Sequence, residues 1–274
     1  MEAKEQKKKS IKKRILLYLT IFIIVTLLVL ISPLFSIKNV VIESSVDKTL
    51  EESSLTEIES HLDSTKGKNG YLFVLNNMDG ISNIRYFFGM RAKNVEESLI
   101  FSFPKLKNIN VKFDFPNSLN VTYDLREEAY FINDSGTYIC ADSEGFILGV
   151  YSDNEKNLPV VNGIKLESYK IGQFVSSENK EQIKALKNVF SEINQSDLNS
   201  EFKLSECIEI VDVTEYNKIW IFINDNLAVS IGSLDNIEYK IPALKEILQV
   251  NDMLNKKGLI DFTVSSDPVF RPHE

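Results

Sequence analysis

An uncharged, strongly apolar run at residues 15–37 limits what this chain can fold into more than any other feature. As an α-helix those 23 residues would be roughly 34 Å long at ~1.5 Å per residue, which is enough to cross a hydrocarbon layer of about 30 Å. A cleaved signal peptide is the competing interpretation, but its apolar region is about 7–15 residues long and ends in small residues. Residues 32–35, Ser-Pro-Leu-Phe, lack that pattern. The run therefore predicts an uncleaved transmembrane helix at residues 15–35.

The distribution of charge predicts how this helix is oriented. Residues 1–14 carry seven basic against two acidic side chains, a balance of +5. By the positive-inside rule this tail stays in the cytoplasm and the chain after the helix lies outside the membrane. The whole chain carries −8, so the rest of it carries −13. Such an acidic body argues against nucleic acid as a ligand, because phosphate neutralisation needs a cationic surface.

Residues 36–125 show the pattern of a small α+β domain. A strand is predicted within residues 35–44, a helix capped by Ser54, and a second helix that ends before Pro104. The apolar run at residues 71–75 fits either a strand or a helix. Apolar residues alternate over 109–125 on both sides of Pro116-Asn117-Ser118, which predicts a β-hairpin with one buried face.

The segment at residues 76–93 has no clear periodicity and contains three consecutive aromatic residues, Tyr86, Phe87 and Phe88. Aromatic side chains in a long exposed loop would be unusual, so packing against the domain is one interpretation. Contact with a partner protein is the other.

Residues 126–272 predict a second, mostly antiparallel β domain with two flanking helices. One helix follows a cap at Ser176 or Ser177, and the other has Pro242 in its first turn and Gly258 at its end. The last strand is predicted at residues 259–264, with Ile260, Phe262 and Val264 facing the core. Its outer backbone groups would then be free to pair with another chain; the alternative is that the chain's own loops cover this edge.

Few residues in this chain are suited to catalysis or metal binding. The two histidines, His61 and His273, are far apart, and the two cysteines cannot complete a four-ligand zinc site. The chain has no Gly-x-Ser-x-Gly, His-Glu-x-x-His or glycine-rich phosphate motif. We therefore expect a binding protein that needs no cofactor and has no enzymatic activity. Cys140 and Cys207 could form a disulfide, but an exterior part of this size does not need one, which favours free thiols.

The order and spacing of several segments resemble the FtsQ/DivIB family of bacterial cell-division proteins, over nearly the full chain. These segments are FSIKNVVIES, GKNGYLF and FPKLKNINVKFDFPNSLNVTYDLREEAYFI in the first domain, and YICADSEGFIL, LPVVNG, VSIG and GLIDFTVSSDPVFRP in the second. The resemblance implies a POTRA-like domain at 36–125 and the family's β domain at 126–272. The sequence departs from the family pattern between residues 75 and 95, and at Leu125-Arg126, where the family has Glu-Arg.

The resemblance also implies a function and a binding site. The protein would be a non-enzymatic scaffold of the division machinery that binds membrane-anchored coiled-coil proteins of the FtsB/DivIC and FtsL type. It would help to control septal peptidoglycan synthesis at the division septum. Partner binding by strand addition near the C-terminus would involve Phe262, Thr263, Val264, Ser265, Ser266, Asp267 and Phe270.

Two other functions remain open from the sequence. A POTRA-bearing chaperone or export module would bind generic extended peptides. A membrane-anchored cell-wall hydrolase would turn over peptidoglycan, although the shortage of histidines disfavours it.

Overall fold

The structure, a computed structural model, describes residues 2–45, 50, 52–80, 83–250, 253–264 and 267–273. Helix α1 (Glu2–Leu30) contains the one stretch in these ranges that is long and apolar enough to cross a membrane, Lys12–Leu30. It ends five residues before the predicted end at Phe35. Pro33 cannot donate a backbone hydrogen bond and disfavours a helical conformation before it, so Pro33–Phe35 form a separate 3-10 turn.

The chain forms two compact units, Met1–Leu125 and Arg126–Glu274. After α1 the first unit contains β1 (Asn39–Ser44), α2 (Glu52–Asp63), α3 (Gly70–Asn76), α4 (Ile84–Phe88), α5 (Lys93–Ser102), β2 (Leu106–Asp114) and β3 (Ser118–Leu125). Its sheet has the order β1-β3-β2, in which β3 is parallel to β1 and antiparallel to β2. This is the arrangement of a POTRA-like α+β domain.

The predicted hairpin forms the core of this unit. Val111 and Phe113 on β2 and Val121 and Tyr123 on β3 are buried, as alternation requires. Phe115, which continues the same alternation, instead lies beyond the end of β2 and is 71% exposed. Alternation therefore identified the buried face correctly but not the residue at which the strand stops.

Two predictions about helices in this unit need correction. Ser54 lies inside α2 and does not cap it, because the helix already includes Glu52. The run at residues 71–75 is helical and belongs to α3. Its N-cap is Asn69, whose side chain accepts a hydrogen bond from the backbone N–H of Leu72 at 3.2 Å.

The second unit is built on a nine-stranded sheet with the order β14-β13-β12-β11-β10-β7-β4-β5-β6. Its elements are β4 (Tyr130–Asp134), β5 (Thr137–Ala141), β6 (Ile147–Tyr151), β7 (Val160–Asn162), β8 (Leu166–Ser168), β9 (Ser176–Ser177), α6 (Lys180–Asp197), β10 (Ile210–Asp212), β11 (Ile219–Asn224), β12 (Leu227–Gly232), α7 (Ile237–Gln249), β13 (Gly258–Asp261) and β14 (Val269–Pro272). Three neighbouring pairs in the large sheet are parallel, namely β4-β7, β7-β10 and β12-β13, and the others are antiparallel. The predicted fold class, a transmembrane helix followed by an α+β domain and a mostly antiparallel β domain, is confirmed.

The flanking helices α6 and α7 cover one hydrophobic core with the sheet. Asn179 caps α6 by accepting hydrogen bonds from the backbone N–H groups of Glu181 and Gln182, so the predicted caps at Ser176 and Ser177 were wrong. Helix α7 starts earlier and ends earlier than predicted. Pro242 consequently lies inside the helix, and Gly258 begins β13 rather than ending the helix.

Gly163 provides a test of how tightly the loop after β7 is packed. Its φ is +92°, and a Cβ there would lie closer than 3.0 Å to the backbone nitrogen and Cα of Thr214. We expect Gly163→Ala to lower the free energy of unfolding by about 3 kcal/mol, from backbone strain and the clash together. Gly136→Ala is the matched control, because Gly136 has φ +91° and nothing within 4 Å of the added carbon. Urea unfolding followed by Trp220 fluorescence would measure both variants, and equal losses would contradict the prediction.

Candidate functional site

The end of the nine-stranded sheet is formed by β14, and β13 lies one strand further in. On one side β13 pairs in parallel with β12, and on the other it pairs antiparallel with β14. The expectation that the strand at residues 259–264 has an open outer edge was therefore wrong. The alternative, that the chain itself covers that edge, is correct for β13. At this end of the sheet, β14 is the strand that has no outer neighbour among the described strands, while β6 forms the opposite end.

Asp261 explains why β13 ends where it does. Its carboxylate oxygen Oδ1 accepts hydrogen bonds from the backbone N–H of Thr263 at 2.9 Å and from the Thr263 hydroxyl at 2.6 Å. Oδ2 lies 3.3 Å from the guanidinium of Arg271 on β14. Burial raises the pKa of Asp261, but the Thr263 hydrogen bonds and the nearby Arg271 outweigh it and hold the pKa below its ordinary value. The ionised side chain thus forms a local turn that redirects the chain towards β14.

The register of β14 determines which of its backbone groups point outward. The N–H of His273 donates to the carbonyl of Lys257 at 3.1 Å, continuing the register that pairs Leu259 with Arg271. Hydrogen-bonded pairs alternate in an antiparallel ladder, so Val269 and Arg271 bond inward to β13 while Phe270 and Pro272 face outward. Pro272 has no N–H. Within β14 the outer edge therefore offers one amide donor, that of Phe270. Pro268, just before the strand, and Pro272, at its end, have no N–H to donate.

The side chain of Phe270 keeps this short strand in place. It is half-buried against the core of the second unit, and the Lys256 ammonium lies 5.9 Å from its ring centroid. Gly258, which pairs with Pro272 and lies diagonally across from Phe270, makes room for the ring, since a Cβ at Gly258 would come closer than 3.0 Å to it. The inner face of β14 is therefore packed while its outer backbone edge remains available.

The structure distributes the other predicted site residues over different environments. Phe262 is 6% exposed and belongs to the core, with its backbone N–H donating to the carbonyl of Ser230 at 2.9 Å. Thr263 and Asp267 are exposed. Val264 is 57% exposed, so its predicted position in the core was wrong: β13 ends at Asp261 and the alternation does not continue. Ser265 and Ser266 lie outside the described residues.

A cavity of about 500 Å³ lies beside this C-terminal segment, and Phe262 and Thr263 form part of its wall. Trp220 of β11 and Lys240 of α7 also line it. The Lys240 ammonium donates to the carbonyls of Ile231 and Ser233 at 2.9 and 3.1 Å, and burial lowers its pKa. The cavity can accept an apolar or carbonyl-bearing group. Sequence reasoning missed Trp220, although it stands between the buried Ile219 and Ile221 and so had to face away from the core.

The aromatic residues of the segment at 76–93 belong to helix α4. Phe87 packs partly against the core of the first unit, and Tyr86 lies between the guanidinium groups of Arg85 and Arg91, 5.1 and 5.5 Å from its ring centroid. Phe88 is 77% exposed. Two of the three rings therefore pack within the unit, and a partner contact by this segment stays a prediction that now rests mainly on Phe88.

Arg91 links this segment to the sheet of the first unit. It forms a two-pronged ion pair with Glu96, at 2.9 and 2.8 Å, and the carboxylate of Glu96 also accepts from the N–H of Val111. Backbone bonds from Ala92 and to Met90 continue along β2, so this segment covers part of the outer edge of β2. That edge is less accessible to another chain than the edge of β14.

The described ranges contain no group of three or more His, Cys, Asp or Glu side chains placed to hold a metal ion. Cys140 is buried, Cys207 is half-buried, and neither forms a disulfide. Burial raises the pKa of Cys207, and the nearby Asp197 and Glu206 carboxylates add to the effect. A high pKa disfavours the thiolate, so this cysteine is a poor nucleophile.

Comparisons with known proteins find similar proteins among curated sequences and solved structures. No family model matches the chain. Among solved structures, the major extracytoplasmic domain of the cell division protein DivIB from Geobacillus stearothermophilus aligns with 47% of this chain and 90% of its own, at 12% identity and a TM-score of 0.28.

Three curated proteins, each named cell division protein DivIB, are similar in sequence. The chain is 27% identical to that of Clostridium tetani over 69% of each chain. It is 24% identical to that of Clostridium acetobutylicum over 61% of this chain and 64% of the relative, so just under two thirds of that relative is covered. The protein of Clostridium botulinum strain Hall is 24% identical over 97% of this chain and 93% of its own length. The resemblance to the FtsQ/DivIB family is therefore confirmed by relatives named DivIB, one of which matches over 97% of this chain.

Proposed function

We propose that this protein is a non-enzymatic, single-pass scaffold of the bacterial division machinery. Its basic tail, residues 1–14, lies in the cytoplasm, and the POTRA-like domain at 36–125 and the β domain at 126–272 lie outside the membrane. It binds membrane-anchored coiled-coil division proteins of the FtsB/DivIC and FtsL type and helps to control septal peptidoglycan synthesis. The resemblance to the FtsQ/DivIB family, together with three relatives named for cell division, supports this role.

The observation that carries the proposal is the unpaired backbone edge of β14. A strand edge held by a packed inner face is a ready template for an incoming extended chain. The partner strand would pair with β14, accept a hydrogen bond from the N–H of Phe270, and run past the exposed Thr263 and Asp267. A partner side chain could also enter the adjacent cavity lined by Trp220 and Lys240.

Removal of β14 tests this role in cells. A chain that ends at Val264 keeps Phe262, which is buried, and loses β14. As a fusion to an N-terminal fluorescent tag, the full chain is expected to concentrate at mid-cell and to co-purify with the coiled-coil division proteins. The truncated chain is expected to stay membrane-inserted but to lose both properties.

The control measures membrane insertion and folding separately. Both chains should resist extraction from membranes by alkali, and Trp220 fluorescence should report a folded second unit in both. Normal mid-cell localisation and normal co-purification of the truncated chain would contradict the proposal. Failure of the full chain to reach mid-cell would contradict the division role itself.

A further inference from the structure

We propose that an apolar patch at the exit of α1 sits in the outer surface of the lipid bilayer and seats the POTRA-like domain directly on the membrane. The exit patch consists of Leu34, Leu72 and Phe115, flanked by Lys38 and Lys68. The proposal depends on α1 crossing the membrane and not on the division role.

Helix α1 is joined directly to the domain by hydrogen bonds, without a flexible linker between them. The side-chain amide of Asn69 donates to the carbonyl of Leu30 at 3.0 Å and to that of Ser32 at 3.2 Å. The last carbonyls of a helix have no partner within it, so Asn69 completes the C-terminal end of α1 from within the domain. Ile37 bonds through its N–H to Lys68 and through its carbonyl to Gly67. The helix end and the domain are therefore tied together within a few residues.

The length of α1 indicates how deep its C-terminal end lies in the membrane. From residue 15, the first after the charged tail, α1 continues for 16 residues to Leu30. These span about 24 Å at ~1.5 Å per residue, whereas the hydrocarbon layer is about 30 Å thick. Lys12, Lys13 and Arg14 can extend their side chains to the headgroups, and the 19-residue span Lys12–Leu30 covers about 28 Å, so the residues just after Leu30 lie at the outer boundary of the hydrocarbon layer. This places Leu34, which is 70% exposed, at the outer boundary of the hydrocarbon layer.

The tip of the β2-β3 hairpin lies beside the residues that follow α1, and so at the same depth as Leu34. The N–H of Lys38 donates to the carbonyl of Asn117 in the hairpin turn at 2.8 Å. The rings of Phe35 and Phe115 lie 5.4 Å apart between centroids, and Tyr71 packs on Phe35 at 5.2 Å. Phe35 is buried in this cluster, but Phe115 presents most of its ring to the outside.

The chemistry of the exit patch fits a lipid surface. Aromatic residues are enriched where the headgroups meet the hydrocarbon layer. An apolar ring placed there is withdrawn from water, so its position on the domain surface carries no hydrophobic penalty. Leu72 on the first turn of α3 adds a further exposed apolar side chain. Lys38 and Lys68 are both exposed and can bind lipid phosphates. The exit patch is continuous with the apolar helix α1. This continuity, more than the exposure of the patch, indicates that the membrane rather than a protein covers it.

Depth-dependent quenching of tryptophan fluorescence tests the proposal with the full chain in lipid nanodiscs. All variants carry Trp220→Phe, which removes the one native tryptophan. Phe115→Trp is the test position, and Leu34→Trp is the positive control beside the helix end. Lys105→Trp is the negative control, because Lys105 is exposed and lies just before β2, about 30 Å from Phe115 along that strand.

Lipids brominated near the head of the acyl chain are expected to quench most of the emission at positions 34 and 115 and none at 105. Lipids brominated near the end of the acyl chain should quench the emission at positions 34 and 115 less. Unquenched emission at 115 would overturn the proposal and indicate that the patch faces solvent or a protein. Equal quenching at 115 and 105 would also overturn it, because the domain would then lie on its side. A further variant, Phe115→Glu combined with Leu34→Trp, checks that the tryptophan introduced at 115 does not itself draw this position into the lipid. If the native patch is inserted, the charge at 115 should lower the quenching at position 34.

Discussion

Replacement of Lys245 by methionine is expected to lower the free energy of unfolding of the second unit by about 3–5 kcal/mol, the largest effect of any single change considered in that unit. Lys245 on α7 pairs with Asp197 at the end of α6 at 2.8 Å, and both side chains are 8% exposed. Its ammonium also donates to the carbonyl of Ser196 at 2.7 Å. Without this cation the carboxylate of Asp197 stays buried and hydrogen-bonded but has lost its counter-ion, which is why the expected loss is large.

Asp197 also organises the loop that follows α6. Its two carboxylate oxygens accept from the backbone N–H groups of Leu204 and Ser205 and from the Ser205 hydroxyl, at 2.8 to 2.9 Å. Burial raises the pKa of Asp197, but the hydrogen bonds from Lys245, Ser205 and Leu204 outweigh burial and lower the pKa below its ordinary value. The carboxylate thus contributes stability that is present above the unfolded-state pKa of about 3.9 and is lost as pH falls through the folded-state pKa.

Two controls separate this pair from a general effect of losing charge. Lys218→Met removes a cation that pairs with Glu215 at 2.7 Å on the surface, with both side chains more than half exposed. Its expected cost is at most about 0.5 kcal/mol. The double variant Asp197→Asn with Lys245→Met should recover part of the loss, because no charge is left buried. Urea unfolding followed by Trp220 fluorescence measures all three, and equal losses in the two single variants would contradict the prediction.

The same pair predicts a pH dependence. At pH 7 the difference in stability between the wild type and Lys245→Met should be at its full size. Below pH ~4 it should shrink, because a protonated Asp197 no longer needs the cation. A difference that stays constant as the pH is lowered would show that Lys245 stabilises α7 by packing alone.

The second large effect is expected at the edge of β14. Phe270→Pro removes the one outward amide donor of this strand and leaves the inward bonds of Val269 and Arg271 to β13 possible. A carbonyl of the partner strand would then be buried without a donor, at a cost of about 1–3 kcal/mol. We expect a loss of affinity for the co-purified partner of about 5- to 150-fold relative to Phe270→Ala, measured with the full chain in nanodiscs.

Phe270→Ala is the necessary control because it removes the same ring from the core while keeping the N–H. The Ala variant is expected to lose stability while keeping the backbone edge, and unfolding curves followed by Trp220 fluorescence would measure that loss for both variants. Equal affinity of the Pro and Ala variants would show that no strand is added to β14. In that case the binding surface would have to lie elsewhere, for instance at Phe88.

Local periodicity in the sequence was enough to find most of the elements and the anchor. Alternation on both sides of Pro116-Asn117-Ser118 identified β2 and β3, because a strand with one buried face repeats every two residues. Ile183, Leu186, Phe190 and Ile193 identified α6 by their helical spacing. Boundaries were less accurate. Helix α7 starts three residues before Lys240 and contains Pro242, because packing against the sheet tolerates one missing backbone bond.

The candidate binding edge could not be found from the sequence in the same way. Residues 269–272 form a run too short to be recognised as a strand, and it follows Pro268 and ends in Pro272; they become β14 only by pairing with Gly258–Asp261. Val264 looked like a continuation of β13, but contacts of the Asp261 carboxylate with Thr263 end the strand first. Whether residues 269–272 form a strand therefore depends on pairing with residues 8 to 14 positions earlier, from Asp261↔Val269 to Gly258↔Pro272. It also depends on the Asp261 side chain, which turns the chain between the two strands.

The sequence by itself determined that the chain has one apolar helix, an α+β domain and a mostly antiparallel β domain, since hydrophobic spacing and charge are properties of neighbouring residues. Only the tertiary structure decided that β14 rather than β13 lies at one end of the large sheet, that Asn69 joins α1 to the first domain, and that Asp197 and Lys245 meet. Each of these depends on contacts between residues far apart in the chain, and no local pattern encodes which distant backbone group or charge will lie opposite another.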